Sequence, residues 1–173
     1  VLEINQAGLS WLTILKKREG FRRAYGGFDP AVVAAYGVRD RRRLLADASI
    51  IRNRLKVDAA IANAQRILEL RATHGSFNGW LAAHHPRPKE EWVKLFKHTF
   101  RFTGGEIVGE FLMSIGYLEG AHADSCPVHA RILRRRPPWA RAARRRARCA
   151  ASFPAPRAGS PWTMAARARR SCS

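Results

Sequence analysis

Arg52-Asn53-Arg54-Leu55-Lys56-Val57-Asp58-Ala59-Ala60-Ile61-Ala62-Asn63-Ala64-Gln65-Arg66-Ile67-Leu68-Glu69-Leu70-Arg71-Ala72-Thr73 is the stretch that decides the fold. Val57, Ala60, Ile61, Ala64, Ile67 and Leu68 recur within it at three-to-four spacing, which gathers them on one face of a helix. Gly75 ends the pattern, and Arg52, Arg54 and Lys56 put positive charge in its first turn. A helix over roughly 52–73 is therefore predicted.

The same signals recur on both sides of it. Upstream, Ser10 caps a helix whose apolar members are Trp11, Leu12, Leu15 and Phe21, and Gly8 breaks it from what precedes. Asp29-Pro30 reads as a cap followed by a first-turn proline, with Gly37 closing a short helix 31–36 in the left-handed position that glycine favours. Asp40 opens a further short helix through Leu44 and Leu45. Downstream, Ser76 caps a brief helix with Trp80 and Leu81, and two prolines make His84–Pro88 a loop. Lys89–His98 is a helix with Trp92, Leu95 and Phe96 inward. Phe100–Gly105 is a tight turn, and Val108, Phe111, Leu112 and Ile115 face inward from the helix after it. Nothing alternates with the period of two that a half-buried strand shows, so the domain is predicted to be all-α.

A chain of 173 residues has room for one ordinary domain with a tail, and 46% hydrophobic content is enough for a core. No run of about 18 apolar residues is present to span a membrane, and Val1–Trp11 carries Glu3, Asn5 and Gln6 where a secretory signal would be apolar. The chain opens on Val rather than Met, inside an element already under way, and a missing upstream segment is expected. Cys126, Cys149 and Cys172 have no paired spacing, which fits a reducing cytoplasm.

Charge divides the chain. Of the 32 Lys and Arg, 19 lie in residues 1–130 with all 13 Asp and Glu, and the other 13, all Arg, lie in residues 131–173. Such an excess of positive charge suits an anionic partner, because neutralising phosphates releases counterions. Residues 1–130 are read as the domain. Residues 131–173, built from Arg, Ala, Pro and Ser without an apolar stripe, are predicted to be mostly disordered. They form either a basic tail that adds DNA affinity or a read-through sequence without evolved function, and the abrupt change of composition favours the second.

Two constellations point to chemistry. The helix, glycine turn and helix of residues 93–116 bring backbone N–H groups and a helix N-terminus where a phosphate can approach, although an ordinary helical hairpin has the same sequence pattern. Glu3-Ile4-Asn5-Gln6-Ala7-Gly8-Leu9-Ser10-Trp11 combines a carboxylate, a kink, an apolar tip and an indole. That set suits a flipped base, with Glu3 on the base edge, Trp11 stacking, and Gln6 or Leu9 filling the gap in the duplex. Taken singly, Glu3 reads as well as a solvated helix acid and Trp11 as core.

Leu2-Glu3, Gln6-Ala7-Gly8-Leu9-Ser10-Trp11 and Leu15-Lys16-Lys17-Arg18-Glu19, followed in order by Phe28-Asp29-Pro30, Ile50–Lys56, Asn63-Ala64, Phe100-Arg101-Phe102-Thr103-Gly104 and His122-x3-Cys126, resemble the DNA-3-methyladenine glycosylase I family. The resemblance covers residues 2–130. It implies a helix-hairpin-helix DNA glycosylase fold and a monomer that flips 3-methyladenine from double-stranded alkylated DNA and hydrolyses its N-glycosidic bond. It further implies Glu3 as the pocket carboxylate, Trp11 as a pocket aromatic, and Gln6, Gly8, Leu9, Arg54, Lys56, Thr103, Gly104 and Gly105 as DNA-binding residues. His122 and Cys126 match two ligands of a structural zinc whose other two belong to an upstream segment absent here. Gly105 stands where the family often has proline, and the connection 84–92 is short. Against this stands a second reading, a non-catalytic helical DNA-binding module. His84, His85, His98 and His129 are read as surface residues, and Cys149 and Cys172 as incidental.

Overall fold

The structure, a computed structural model, describes residues 1–152, with side chains as far as Arg145. Eleven α-helices make up its regular structure apart from one 3-10 turn at Gly26–Phe28: α1 Leu2–Gln6, α2 Trp11–Lys16, α3 Arg18–Ala24, α4 Pro30–Ala34, α5 Val38–Ala46, α6 Arg54–His74, α7 Phe77–His84, α8 Lys89–Thr99, α9 Gly105–Ser114, α10 Pro127–Arg134 and α11 Pro138–Ser152. No strand occurs among the described residues. The all-α prediction holds.

Caps fix most of the boundaries. Ser10 accepts from the Thr13 N–H, Asp29 from Ala31, Asn53 from Lys56 and Ser76 from Gly79, each satisfying a donor that a helix start leaves open. Gly75, at φ +72°, ends α6 as expected. Gly37 differs from expectation. Its backbone is extended (φ −100°, ψ −161°), and its N–H donates to the Asp40 carboxylate at 3.1 Å. An acid three residues on captures the N–H and turns Gly37 into the start of α5, so Asp40 sits inside the first turn rather than opening the helix.

With 21 residues, α6 runs through two cores. Its first half contributes Val57, Ala60, Ile61 and Ala64 to a cluster with Ile14, Phe21, Tyr25, Val33, Leu44 and Ile50. Its last turns bring Leu70 to a second cluster of Trp80, Leu81, Trp92, Phe96, Phe100, Val108, Leu112 and Tyr117. The second is largely aromatic: Trp80 meets Trp92, Phe96 and Phe100 edge-on, with centroids 5.5–6.5 Å apart. Ile115, expected inward, is 39% exposed because α9 ends one residue before it.

The described part of the stretch expected to be mostly disordered, residues 131–152, is largely helical. They complete α10 and form α11, as Ala and Arg, both strong helix formers, permit. Among the described side chains, these helices bury none in either core, and α11 is anchored by the Trp139 N–H donating to Gly116 O at 3.2 Å. The rest of the expected tail, residues 153–173, lies outside the described residues.

Candidate active site

The two cores meet along α6, and a cleft of about 370 Å³ opens at their junction. It is walled by α1 (Glu3, Ile4), α4 (Pro30, Val33), α6 (Asn63, Ile67) and α9 (Phe111), and an adjoining recess of about 160 Å³ continues it between Phe77, Phe96, Phe100 and Ile107. Most of this wall is apolar. Glu3 is its one acidic residue.

Short as it is, α1 places that carboxylate firmly. Ile4 and Asn5 are buried beneath it, and the Asn5 amide donates to Val1 O at 2.9 Å. Glu3 Oε2 is buried and has no hydrogen-bond partner. Burial raises the Glu3 pKa above the ordinary carboxylate value; the positive amino terminus of Val1 partly opposes the rise, and the negative charge of Glu110 adds to it. An unpartnered carboxylate oxygen facing an apolar cleft is a strong acceptor held ready for a donor or a cation.

Asn63 ties the cleft to the α8–α9 hairpin. Its Nδ2 donates to Arg101 O at 2.9 Å and its Oδ1 accepts from the Arg101 N–H at 2.7 Å, so one side chain satisfies both polar groups of a turn residue. Thr103 closes α8 by donating to Phe96 O and Phe100 O, and Phe102 takes a left-handed backbone at φ +57°. Gly104 precedes α9 and caps it with no side chain, which leaves the first-turn N–H groups open to an anion. A side chain at Gly104 would meet nothing within 4 Å, so the backbone there lies in open space.

The turn after α1 is exposed. Gly8, at φ +77°, reverses the chain, Gln6 Nε2 donates to Leu9 O at 3.0 Å across it, and Leu9 projects at 38% exposure. Glu3 and Gln6 on α1 and Gly8 and Leu9 in the turn after it are thus close together in the chain, with Thr103, Gly104 and Gly105 on the hairpin beside the cleft. Two expected residues are placed otherwise. Trp11 does not line the cleft; it packs against the first core from the start of α2. Lys56 is 5% exposed, and its ammonium donates to Asn5 O at 2.9 Å and Ala7 O at 2.7 Å instead of facing solvent where a phosphate would lie. Arg54, by contrast, is 85% exposed at its side chain, with Asp58 3.8 Å away.

His122 Nδ1 and Cys126 Sγ come within 3.7 Å of each other. No group of three or more His, Cys, Asp or Glu able to hold a metal occurs among the described residues, so the residues present do not make a four-coordinate zinc site. Three histidines read as surface are partly enclosed: His84 bonds Trp80 O at 2.7 Å, His85 meets the Tyr117 ring at 5.3 Å, and His129 lies between Asp124 and Trp139. His98 is exposed as expected. Sequence reasoning passed over Ile67 and Phe77 as cleft walls and took Phe111 only as core. Asn63 carried a usable signal, being an amide on the buried face of α6.

The described residues form helices only, with a desolvated carboxylate in a largely apolar cleft beside a glycine-turn hairpin, and similarity to known proteins puts this chain among the DNA glycosylases. The methyladenine glycosylase family model matches residues 1–95, and the chain belongs to that family. It is 35% identical to DNA-3-methyladenine glycosylase 1 of Escherichia coli (strain K12), over 72% of this chain and 76% of that one. Identity to the DNA-3-methyladenine glycosylase of Haemophilus influenzae is 31%, over 73% and 78%. The crystal structure of a 3-methyladenine DNA glycosylase I superposes with a TM-score of 0.65 at 33% identity, covering 73% of this chain and 79% of that one. The Staphylococcus aureus 3-methyladenine DNA glycosylase I, solved to show 3-methyladenine recognition, gives 0.63 at 31%, over 73% and 77%.

Proposed function

We propose that this chain excises 3-methyladenine from alkylated double-stranded DNA, as a monomer in the cytoplasm, in the first step of base excision repair. The observation that carries the reading is the unpartnered, buried oxygen of Glu3 in a largely apolar cleft.

Methylation at N3 leaves the adenine cationic, which makes it a good leaving group. The hairpin holds the phosphate backbone through the open N–H groups of α9, and the Leu9 turn enters the space that the extruded nucleotide vacates. Inside the cleft, Glu3 accepts a hydrogen bond from the base edge and its charge favours the cation over neutral adenine, an effect strengthened by the dry surroundings. The glycosidic bond then breaks with its electron pair passing to the base, which leaves as neutral 3-methyladenine. Water adds to the sugar carbon and gives up a proton, leaving an abasic site.

Incubation with methylated duplex DNA, followed by chromatography of the released bases, tests the proposal. Free 3-methyladenine should appear in proportion to enzyme, whereas duplex binding without any released base would establish the non-catalytic DNA-binding alternative.

A further inference from the structure

Lys56 is a buried cation that the excision chemistry above does not use. It lies on the first turn of α6, 5% exposed, yet its two hydrogen bonds reach the carbonyls of Asn5 and Ala7, 51 and 49 residues earlier in the chain. Those carbonyls belong to the C-terminal end of α1, where a helix leaves its acceptors open and a positive charge is favoured. No paired carboxylate accompanies it, and burial lowers the Lys56 pKa. On its other side the ammonium sits 5.8 Å from the ring centroid of Phe102, the hairpin residue with the left-handed backbone. One side chain therefore touches the element that carries Glu3, the entry to the Gly8–Leu9 turn, and the tip of the α8–α9 hairpin.

We propose that Lys56 is a positioning residue that locks the α1 end to the hairpin, so that docking of the hairpin on the backbone sets the Leu9 turn and the Glu3 carboxylate in register with one nucleotide. This rests on the proposed excision function for its context. Lys56 touches neither base nor phosphate in this role. A lysine on the phosphate surface would instead be exposed and would contribute about one unit to the salt dependence of duplex binding.

The test compares Lys56→Met with the unaltered chain in three measurements: affinity and salt slope on undamaged duplex, preference for a duplex carrying an abasic site over the undamaged one, and single-turnover base release. Undamaged-duplex affinity and its salt slope should stay unchanged in Lys56→Met, while the abasic preference and the release rate each fall about tenfold, a misalignment effect of the size that small displacements produce. Lys56→Arg, which keeps donors for both carbonyls, should recover part of each loss. A general loss of fold would lower binding to both duplexes together and leave their ratio unmoved. Phe102→Leu keeps Lys56 and both its bonds but removes the ring, and should shift the ratio in the same direction even if Lys56→Met does not fold. A salt slope reduced by about one in Lys56→Met identifies a phosphate contact and overturns the proposal. An unchanged abasic preference in both Lys56→Met and Phe102→Leu overturns it as well. Because the abasic preference is read from binding alone, it tests the lock even if the chain releases no base.

Discussion

Glu3→Gln is expected to slow the release of 3-methyladenine by about two orders of magnitude while raising the melting temperature at pH 7. The rate effect follows from losing the one carboxylate in a largely apolar cleft, and removing a single preorganised electrostatic partner typically costs about 10²–10³ in rate. A neutral amide still accepts a hydrogen bond from the base edge, and the cationic base is already a good leaving group, which places the effect at the lower end. The stability effect has the opposite sign. Burial raises the Glu3 pKa in the folded chain, so the protonated form is the one the fold prefers. Its contribution to stability is complete below the ordinary glutamate pKa and is lost as pH rises through the folded value. At neutral pH an ionised Glu3 thus works against the fold, and Gln removes that burden. The gap in melting temperature should close below about pH 4, where the carboxyl is protonated in both states. Melting curves of the two proteins from about pH 3 to pH 8 check this, and a Glu3→Gln protein less stable at pH 7 would contradict the burial argument. A cationic base in the cleft reverses the balance, favouring the ionised carboxylate that the empty cleft resists.

The second large effect concerns the support behind the hairpin. Trp92 is fully buried on α8, edge-on to Trp80, Phe96 and Tyr117, and its indole N–H is buried without a partner. Trp92→Ala leaves a cavity in the second core and should cost about 3–5 kcal/mol. In a domain of this size that lowers the melting temperature by about 10 °C, at roughly 2–4 °C per kcal/mol. Trp92→Phe should cost under about 1.5 kcal/mol, because the lost ring area is partly offset by removing an orphaned donor worth about 1–3 kcal/mol when buried. Thermal denaturation of both variants decides it. Equal losses would mean that the N–H has a partner, whereas the present packing requires Ala to be far worse than Phe.

Much of the fold was legible because local chemistry decides it. Ser10, Asp29 and Ser76 start their helices with their own side chains, and the α6 stripe needs no information from elsewhere in the chain, although α6 begins at Arg54 behind an Asn53 cap and not at residue 52 as read. What escaped was set by distant partners. Lys56 looked like a basic residue at a helix start, and only the three-dimensional path brings the Asn5 and Ala7 carbonyls over it. Trp11 carries the aromatic character of a pocket wall, but α2 turns it onto the first core. The cleft itself spans α1, α4, α6 and α9, so Ile67 and Phe111 join Glu3 through packing alone. Gly37 was misread because glycine serves both ends of a helix, and the deciding contact is the Asp40 carboxylate. In the tail, sequence complexity argued for disorder while Ala and Arg propensity produced α11 over part of it.

The account stands most directly on the claim that this cleft, with Glu3 in its wall, receives the methylated base. Titrating free 3-methyladenine into the isotope-labelled chain and following backbone amide resonances tests it in one measurement. Perturbations should centre on Glu3, Ile4, Asn63, Ile67 and Phe111 and weaken markedly in Glu3→Gln. Perturbations centred on Leu9 and Trp11, with the cleft residues silent, would contradict it.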